Sequence, residues 1–242
     1  MKVKQFLDEN QKYAGVIFDF NGVLLWDSHL QERTWYEFSK SLRGKPFSDE
    51  EIAHIVHGRT NTFILNYLSG KPLSQEEIEV LTDRKETTYR QLCLAEGEAF
   101  KLSPGAKELL DFCKEHDIPR TIATASPKQN LDFFIKHLQL DRWFNPSLIT
   151  YDDGSFPGKP APDIYILAAQ KLGLEPRDCI VIEDAISGLK SAYEAGIGRI
   201  YALGPTPRHS ELRNAEGTDV VISRLDEIPR DIFRLPAVTN KL

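Results

Sequence analysis

The pattern of apolar and polar residues predicts a chain built in two different ways. From Ser103 onward, short apolar runs alternate with segments whose apolar residues recur every three or four positions. This alternation predicts parallel strands joined by helices that cover both faces of one sheet. The predicted strands are 16–19, 119–124, 148–149, 179–182, 199–203 and 219–222.

Between the first predicted strand and Ser103 the pattern is helical throughout. Asp27 and Ser28 form a capping signal for the first of these helices, and glycine–proline breaks separate the later ones. We therefore expect a discontinuous α/β core, residues 1–27 and 103–242, with an all-helical domain, residues 28–102, inserted after the first strand. An insertion at that position can close over the sheet edge as a lid.

Composition and charge narrow the class of protein. The hydrophobic content of 41% and charged content of 27% are those of an ordinary globular chain. The net charge of −6 argues against a nucleic-acid partner, and no apolar run is long enough to span a membrane. Three widely spaced cysteines favour free thiols, and residues 1–10 lack the features of a signal peptide. We expect a cytoplasmic monomer or weak homo-oligomer.

Polar residues follow four of the predicted strands or loops at comparable positions. They are Asp19, Thr124 with Ala125 and Ser126 behind it, Lys159, and the pair Glu183 and Asp184. Each alone has an ordinary explanation, such as a helix cap or a solvated lysine. Because the carboxyl ends of parallel strands share one edge, we expect these groups to converge there. Clustered carboxylates suit Mg²⁺, and a metal beside a lysine and a hydroxyl suits a phosphoryl group.

This ordered set of residues resembles the haloacid dehalogenase-like superfamily, in its branch of β-phosphoglucomutases and small-molecule phosphatases with a helical cap. The matching stretches are Asp19-Phe20-Asn21-Gly22-Val23-Leu24, Thr124, Lys159-Pro160-Ala161-Pro162-Asp163, and Glu183-Asp184 with Gly188. The resemblance extends from Gly15 to about Ile228. It implies a Rossmann-like three-layer core with a parallel sheet and an inserted all-helical cap.

The resemblance also implies roles for individual residues. Asp19 would be the nucleophile that becomes phosphorylated. The phosphate would be bound by Thr124, Ala125, Ser126 and Lys159, and Mg²⁺ by Asp19, Glu183, Asp184 and the backbone carbonyl of Asn21. In the helical insert, Arg59 follows a glycine at a helix break and is a candidate to meet a second phosphate or a carboxylate. The expected partner is a small phosphorylated metabolite.

Asn21 departs from the family pattern, which has a second aspartate there to protonate the leaving oxygen and to activate water. An amide has no titratable proton near neutral pH, and general acid–base help is worth about 10²–10⁴-fold. We expect a Mg²⁺-dependent phosphatase, slow for this reason or supplied with another proton carrier. The alternatives are a β-phosphoglucomutase-like phosphotransferase, a non-catalytic phosphate-ligand binding protein, or an engineered trap. Glu32, at about the place of the mutases' cap histidine, argues against the phosphotransferase.

Overall fold

A six-stranded parallel sheet forms the centre of the computed structural model, which describes residues 11–235. In chain order its strands are β1 (Gly15–Phe18), β2 (Arg120–Pro127), β3 (Thr150–Asp152), β4 (Cys179–Glu183), β5 (Arg199–Leu203) and β6 (Val220–Ile222). They lie in the order β3-β2-β1-β4-β5-β6. The chain builds outward from β1 to β3 and then returns to add β4 on the other side. The switch point between β1 and β4 is where open α/β sheets bind ligands.

Nine α-helices lie along the described part of the chain. The first four are α1 (Ser28–Arg43), α2 (Asp49–Glu51), α3 (Asn61–Ser69) and α4 (Gln75–Ala95), with a π-helix (Ile52–Val56) directly after α2. The others are α5 (Ala106–Glu115), α6 (Lys128–Leu138), α7 (Asp163–Lys171), α8 (Ile186–Glu194) and α9 (His209–Asn214). None of these described helices is long and apolar enough to cross a membrane.

Helices cover both faces of the sheet and make three layers. Successive residues of β1 point to opposite faces, as strand geometry requires. Phe18 packs in a buried cluster that includes Phe134 of α6, whereas Ile17 packs in a second cluster that includes Leu189 of α8. The α/β class and the parallel sheet predicted from the sequence are therefore confirmed.

The helical segment between β1 and β2, hereafter the insert, has a small core of its own. Trp35, Phe47 and Ile64 belong to a buried cluster separate from the two that flank the sheet. The long helix α4 also contacts the core beside the sheet, because its Tyr89 and Cys93 are buried in the same cluster as Phe18. The insert therefore folds around its own apolar centre and rests on the sheet-covering layer through α4.

Two strands, β2 and β3, differ from the prediction by more than one residue at an end. Residues 148–149 are not a strand, because Asn145 accepts a hydrogen bond from the Ser147 N–H and starts a 3-10 turn over Pro146–Leu148. β3 begins only at Thr150. β2 does not end at Thr124 but continues to Pro127, with a register shift against β3 after Thr124.

The prediction that Asp27 caps the first helix through its side chain is also wrong. Asp27 occupies the position before α1, but its side chain makes no capping hydrogen bond. Its carboxylate is instead bound by partners in the candidate active site. The predicted absence of a signal peptide concerns residues 1–10, which lie outside the described residues.

Replacing Phe134 by alanine should lower the free energy of unfolding by about 3–5 kcal/mol. Phe134 is fully buried, stacks on Phe20 with ring centroids 4.3 Å apart, and meets Tyr89 edge-on. Guanidinium denaturation measures the change. Val80→Ala, at a site 63% exposed, is the control and should stay within about 0.5 kcal/mol of the parent. A loss below about 1 kcal/mol for Phe134→Ala would contradict this packing.

Candidate active site

Three carboxylates meet at the switch point of the sheet. Asp19 directly follows β1, Glu183 ends β4, and Asp184 comes next in the chain. One oxygen of each side chain lies within 4.8 Å of the others. The structure thus brings together the three acids that the sequence placed at strand ends. Like charges this close are stable only when a cation compensates them or when one of the acids keeps a proton.

Lys159 supplies one positive charge to this cluster of carboxylates. Its Nζ donates hydrogen bonds to Asp19 Oδ1 at 2.6 Å and to Glu183 Oε2 at 2.7 Å. The lysine side chain is fully buried. It is not among the described residues that line the adjacent cavity. Its predicted contact with a phosphate therefore remains a prediction, whereas its ion pairs with the carboxylates are present.

Glu183 already accepts hydrogen bonds at both oxygens. Lys159 and the Tyr165 hydroxyl both donate to Oε2, while the backbone N–H groups of Asp184 and Ala185 donate to Oε1 at 3.1 and 3.0 Å. A metal bond to Glu183 would have to displace one of these four donors. Glu183 is therefore best suited to holding Lys159 and the turn after β4. The sequence analysis missed Tyr165. Its only signal in the sequence is that it is an aromatic residue on α7, the helix after the loop that contains Lys159.

Two glycines permit this close packing. A Cβ atom on Gly188 would lie 2.0 Å from Glu183 Oε2, and one on Gly22 would lie 2.2 Å from Asp184 Oδ2. Gly22 also has a φ of +84°, in the left-handed region that side chains disfavour. The turn after Asp19 can therefore approach Asp184 only because it carries no side chain there.

Burial and mutual repulsion set the ionisation of the cluster. Burial raises the pKa of Asp19 to about 7, with a further rise from Glu183 and an opposing effect from Lys159. Burial and the charge of Glu183 raise the pKa of Asp184 well above its usual range. Burial by itself lowers the pKa of Lys159, but Asp19 and Glu183 outweigh it and the net pKa is raised. With all three acids ionised, one ammonium leaves two negative charges, which a divalent cation would balance.

The donor set around that charge suits Mg²⁺. Asp19 and Asp184 offer carboxylate oxygens, and the Asn21 backbone can offer a carbonyl oxygen, all of them hard ligands. The cluster contains no thiol or imidazole that would favour a softer metal.

The candidate phosphate-binding residues lie beside Asp19. Thr124, Ala125 and Ser126 line the same cavity as Asp19 and Asn21. Thr124 Oγ1 accepts a hydrogen bond from the Ser126 N–H at 3.1 Å, which leaves the threonine hydroxyl proton for a ligand. The segment predicted to bind phosphate is thus placed next to the predicted nucleophile.

Asn21 is held at both ends of its amide. Its Nδ2 donates to Asp27 Oδ2 at 2.7 Å and to the Tyr89 hydroxyl at 3.3 Å, while its Oδ1 accepts from Ser126 Oγ at 2.8 Å. The Asp27 carboxylate also accepts from Tyr89 and from the Gly22 N–H, which explains why it caps no helix. Burial raises the pKa of Asp27. The sequence analysis missed this role, because Asp27 has the local pattern of a helix cap and Tyr89 lies 62 residues further along the chain.

The insert forms the opposite wall of the cavity. The lining residues on that side are Ser28, Gln31, Trp35, Val56, His57, Gly58, Arg59, Asn61, Ile64, Lys85 and Glu86. Arg59 places its guanidinium 3.7 Å from the centroid of the Phe63 ring. Its Nε is buried and has no hydrogen-bond partner among the described residues. An unpaired buried N–H is costly, so an anionic ligand at this point would be stabilising.

The structure is that of an α/β protein with an acid cluster at the switch point of its parallel sheet, beside a helical insert. Residues 13–196 match the family model of the haloacid dehalogenase-like hydrolases, and the chain belongs to that family. It is 30% identical over 188 residues to a phosphorylated carbohydrates phosphatase of Thermotoga maritima, covering 78% of this chain and 84% of that protein.

Two further comparisons agree with this assignment. Hexitol phosphatase A of Escherichia coli is 31% identical over 219 residues, which are 88% of this chain and 92% of the relative. A solved HAD hydrolase of family IA, variant 3, from Entamoeba histolytica is 36% identical, covers 90% of this chain and 96% of its own, and has a TM-score of 0.79. The resemblance stated from the sequence is therefore confirmed.

Without added metal, the free energy of unfolding should fall as the pH rises from about 3.8 to about 7. Over that window folded Asp19, with its raised pKa, keeps a proton that the unfolded chain has released, so stability is lost with rising pH. Mg²⁺ should oppose the loss because it favours the ionised carboxylate. Urea denaturation across this range, with and without Mg²⁺, tests both effects.

Asp19→Asn should remove the part of this pH dependence that belongs to Asp19, while Asp184, whose pKa is also raised, should keep its own part. Asp141→Asn, at an exposed site, should leave the pH dependence unchanged. An Asp19→Asn protein with the parent's pH slope and the parent's response to Mg²⁺ would show that the raised pKa belongs elsewhere.

Proposed function

We propose that the protein is a Mg²⁺-dependent phosphatase that hydrolyses a small phosphorylated metabolite through an aspartyl-phosphate on Asp19. The observation that carries this proposal is the position of Asp19, fixed by buried Lys159 and open to the cavity beside Thr124. The named activities of the two phosphatase relatives support sugar or polyol phosphates as the substrate class. The division into a core, residues 1–27 and 103–242, and a cap, residues 28–102, is part of this proposal.

The first step would be attack by the free oxygen of Asp19. Lys159 holds Oδ1, and no described residue donates a hydrogen bond to Oδ2. Oδ2 would form a bond to phosphorus as the bond to the leaving oxygen breaks, and that oxygen would take up a proton. Water would then attack phosphorus and release phosphate and the Asp19 carboxylate. Lys159 lowers the cost of bringing an anion to this carboxylate.

Mg²⁺ would be held by Asp19, Asp184 and the Asn21 carbonyl, and when bound it would neutralise charge on the phosphoryl oxygens. Glu183, predicted as a further ligand, is proposed to act mainly through Lys159. Thr124, Ala125 and Ser126 would orient the phosphoryl group. The proton for the leaving oxygen cannot come from the Asn21 amide, so turnover is expected to be slow.

Arg59 is proposed to bind a second anionic or strongly polar group of the substrate. Its unpaired Nε and its place on the cavity wall support this role. For the phosphotransferase alternative, Glu32 stands at about the place of the mutases' cap histidine and is not among the described residues that line the cavity, whereas His57, 3.1 Å from Glu32, is. The binding-protein alternative predicts no phosphoenzyme at all.

Asp19→Asn should lower phosphate release by at least about 10³-fold, because the substituted amide cannot act as the nucleophile. A panel of sugar and polyol phosphates at fixed Mg²⁺, followed by inorganic phosphate release, provides the measurement. Asp141→Asn is the matched control and should retain the parent rate. Full activity in excess chelator, or in Asp19→Asn, would remove the proposed mechanism.

Asn21→Asp should raise turnover by roughly 10²-fold or more, the scale of general acid–base catalysis, with a smaller effect on phosphate affinity. The new carboxyl would lie beside Asp27, and two adjacent carboxyl groups share a proton readily. Single-turnover and steady-state phosphate release separate phosphorylation from hydrolysis.

The exposed Asn214→Asp change is the control for this substitution. Mass spectrometry of position 21 must accompany the kinetics, because Asn-Gly sequences deamidate spontaneously. If verified Asn21 protein turns over as fast as Asn21→Asp, another group supplies the proton and the proposed limitation is wrong.

A further inference from the structure

A buried amide of the core is bound at both ends by side chains of the insert. Asn130 lies on α6 of the core and is fully buried. Its Nδ2 donates to Glu86 Oε2 at 2.6 Å, and its Oδ1 accepts from Arg90 Nη1 at 2.9 Å. Glu86 and Arg90 both belong to α4. Both polar atoms of this core side chain are thus hydrogen-bonded to the insert.

The other oxygen of Glu86 organises the cavity wall. Oε1 accepts hydrogen bonds from Lys85 Nζ at 3.0 Å and from Asn61 Nδ2 at 2.7 Å. Lys85 also donates to Gln31 Oε1 at 2.7 Å. Glu86 therefore ties together side chains from α1, α3 and α4, and all four of these residues line the cavity.

Burying this charged network costs free energy that apolar side chains at the same contact would not cost. Lys85 is 1% exposed and Glu86 3%, so both charges are taken out of water. A buried polar network that is fully paired specifies one geometry, because any displacement leaves groups unpaired. Asn130 is also only three residues beyond Pro127, the end of the strand that carries Thr124 and Ser126. The network thus joins the wall that would bind the substrate body to the segment that would bind its phosphate.

We propose that Asn130 is a positioning residue that fixes the insert in its closed position and, through Glu86, sets Lys85 and Asn61 at the cavity wall. When the insert moves away from the core, both hydrogen bonds of Asn130 break together, since its partners move and it does not. The kinetic part of this proposal rests on the proposed phosphatase function. The conformational part does not.

Substrate size distinguishes this role from simple stabilisation. A hexitol phosphate is large enough to extend from Asp19 toward the insert wall, whereas acetyl phosphate has almost no body beyond its phosphoryl group. Positioning by Asn130 should therefore matter for the first substrate and not for the second. Acetyl phosphate also has a good leaving group, so its hydrolysis does not depend on an acid at position 21.

The test exchanges the amide of Asn130 and the carboxylate of Glu86 between the two positions. Asn130→Asp alone places two carboxylates together, and Glu86→Gln alone confronts the amide donor of Asn130 with a second amide. In Glu86→Gln combined with Asn130→Asp, the new amide donates to the new carboxylate, which still accepts from Arg90. The new amide's oxygen still accepts from Lys85 and Asn61. The donors and acceptors are restored with their positions reversed.

Each single variant should lower the ratio of kcat/KM for sorbitol 6-phosphate to that for acetyl phosphate by about 10- to 10²-fold. Hydrogen exchange in α3 and α4 should become faster relative to α7 and α8. The double variant should recover both measurements. Asp132→Asn, which removes an exposed ion pair with Lys128 on the same helix, is the control and should change neither. Arg90→Ala removes one of the two hydrogen bonds to Asn130, together with a bond to Thr87 on the same helix, and should shift both measurements less. This variant keeps the test open if a buried variant fails to fold.

Equal losses on both substrates with unchanged exchange in the insert would overturn the proposal and leave Asn130 a purely structural residue. Failure of the double variant to recover would also overturn it. If the parent protein hydrolyses neither substrate, the phosphatase proposal fails, and the exchange measurements alone then decide whether Asn130 positions the insert.

Discussion

The buried ion pairs of Lys159 with Asp19 and Glu183 are the interaction on which the site depends. They join two carboxylates from adjacent strands to a loop 140 residues beyond the first of them in the chain. Loss of one partner from a buried pair costs about 3–5 kcal/mol, since the remaining charge is left without compensation. The ammonium makes it possible to bury an acid at the switch point, and the remaining negative charge makes that acid a cation site. Stability and chemistry thus have the same electrostatic origin here.

Local pattern was sufficient to predict the sheet, the helical insert and the residues at the strand ends. Strand and helix periodicities are properties of neighbours in sequence, and carboxyl ends of parallel strands must share an edge. The roles of Asp27 and Tyr165 were not predictable in this way. Asp27 has the local signature of a helix cap, but its carboxylate accepts hydrogen bonds from Asn21, from the Gly22 N–H and from Tyr89, which is 62 residues away. Partners that distant leave no trace in the periodicity around either residue.

The surroundings of position 21 complement an amide. Asp27 requires a donor and Ser126 requires an acceptor, and Asn21 provides one of each. An ionised carboxylate there would satisfy Ser126 but repel Asp27 unless the pair held a proton. In the sequence, Asn21 stands where the family motif has a second aspartate. The structure adds that the loop, the insert and the phosphate-binding segment are all hydrogen-bonded through this one side chain.

The insert is held to the core on both sides of the cavity by different means. On one side, Gly58 lies so close to the core that a Cβ atom would come within 2.4 Å of Ser187 Oγ, and that hydroxyl donates to the His57 carbonyl at 3.1 Å. On the other side, Asn130 is bound by side chains of α4. A contact made by backbone tolerates little change in distance, whereas paired side chains can break and re-form as a unit. Displacement of the insert from the core therefore breaks a close backbone contact at Gly58 and a paired side-chain contact at Asn130.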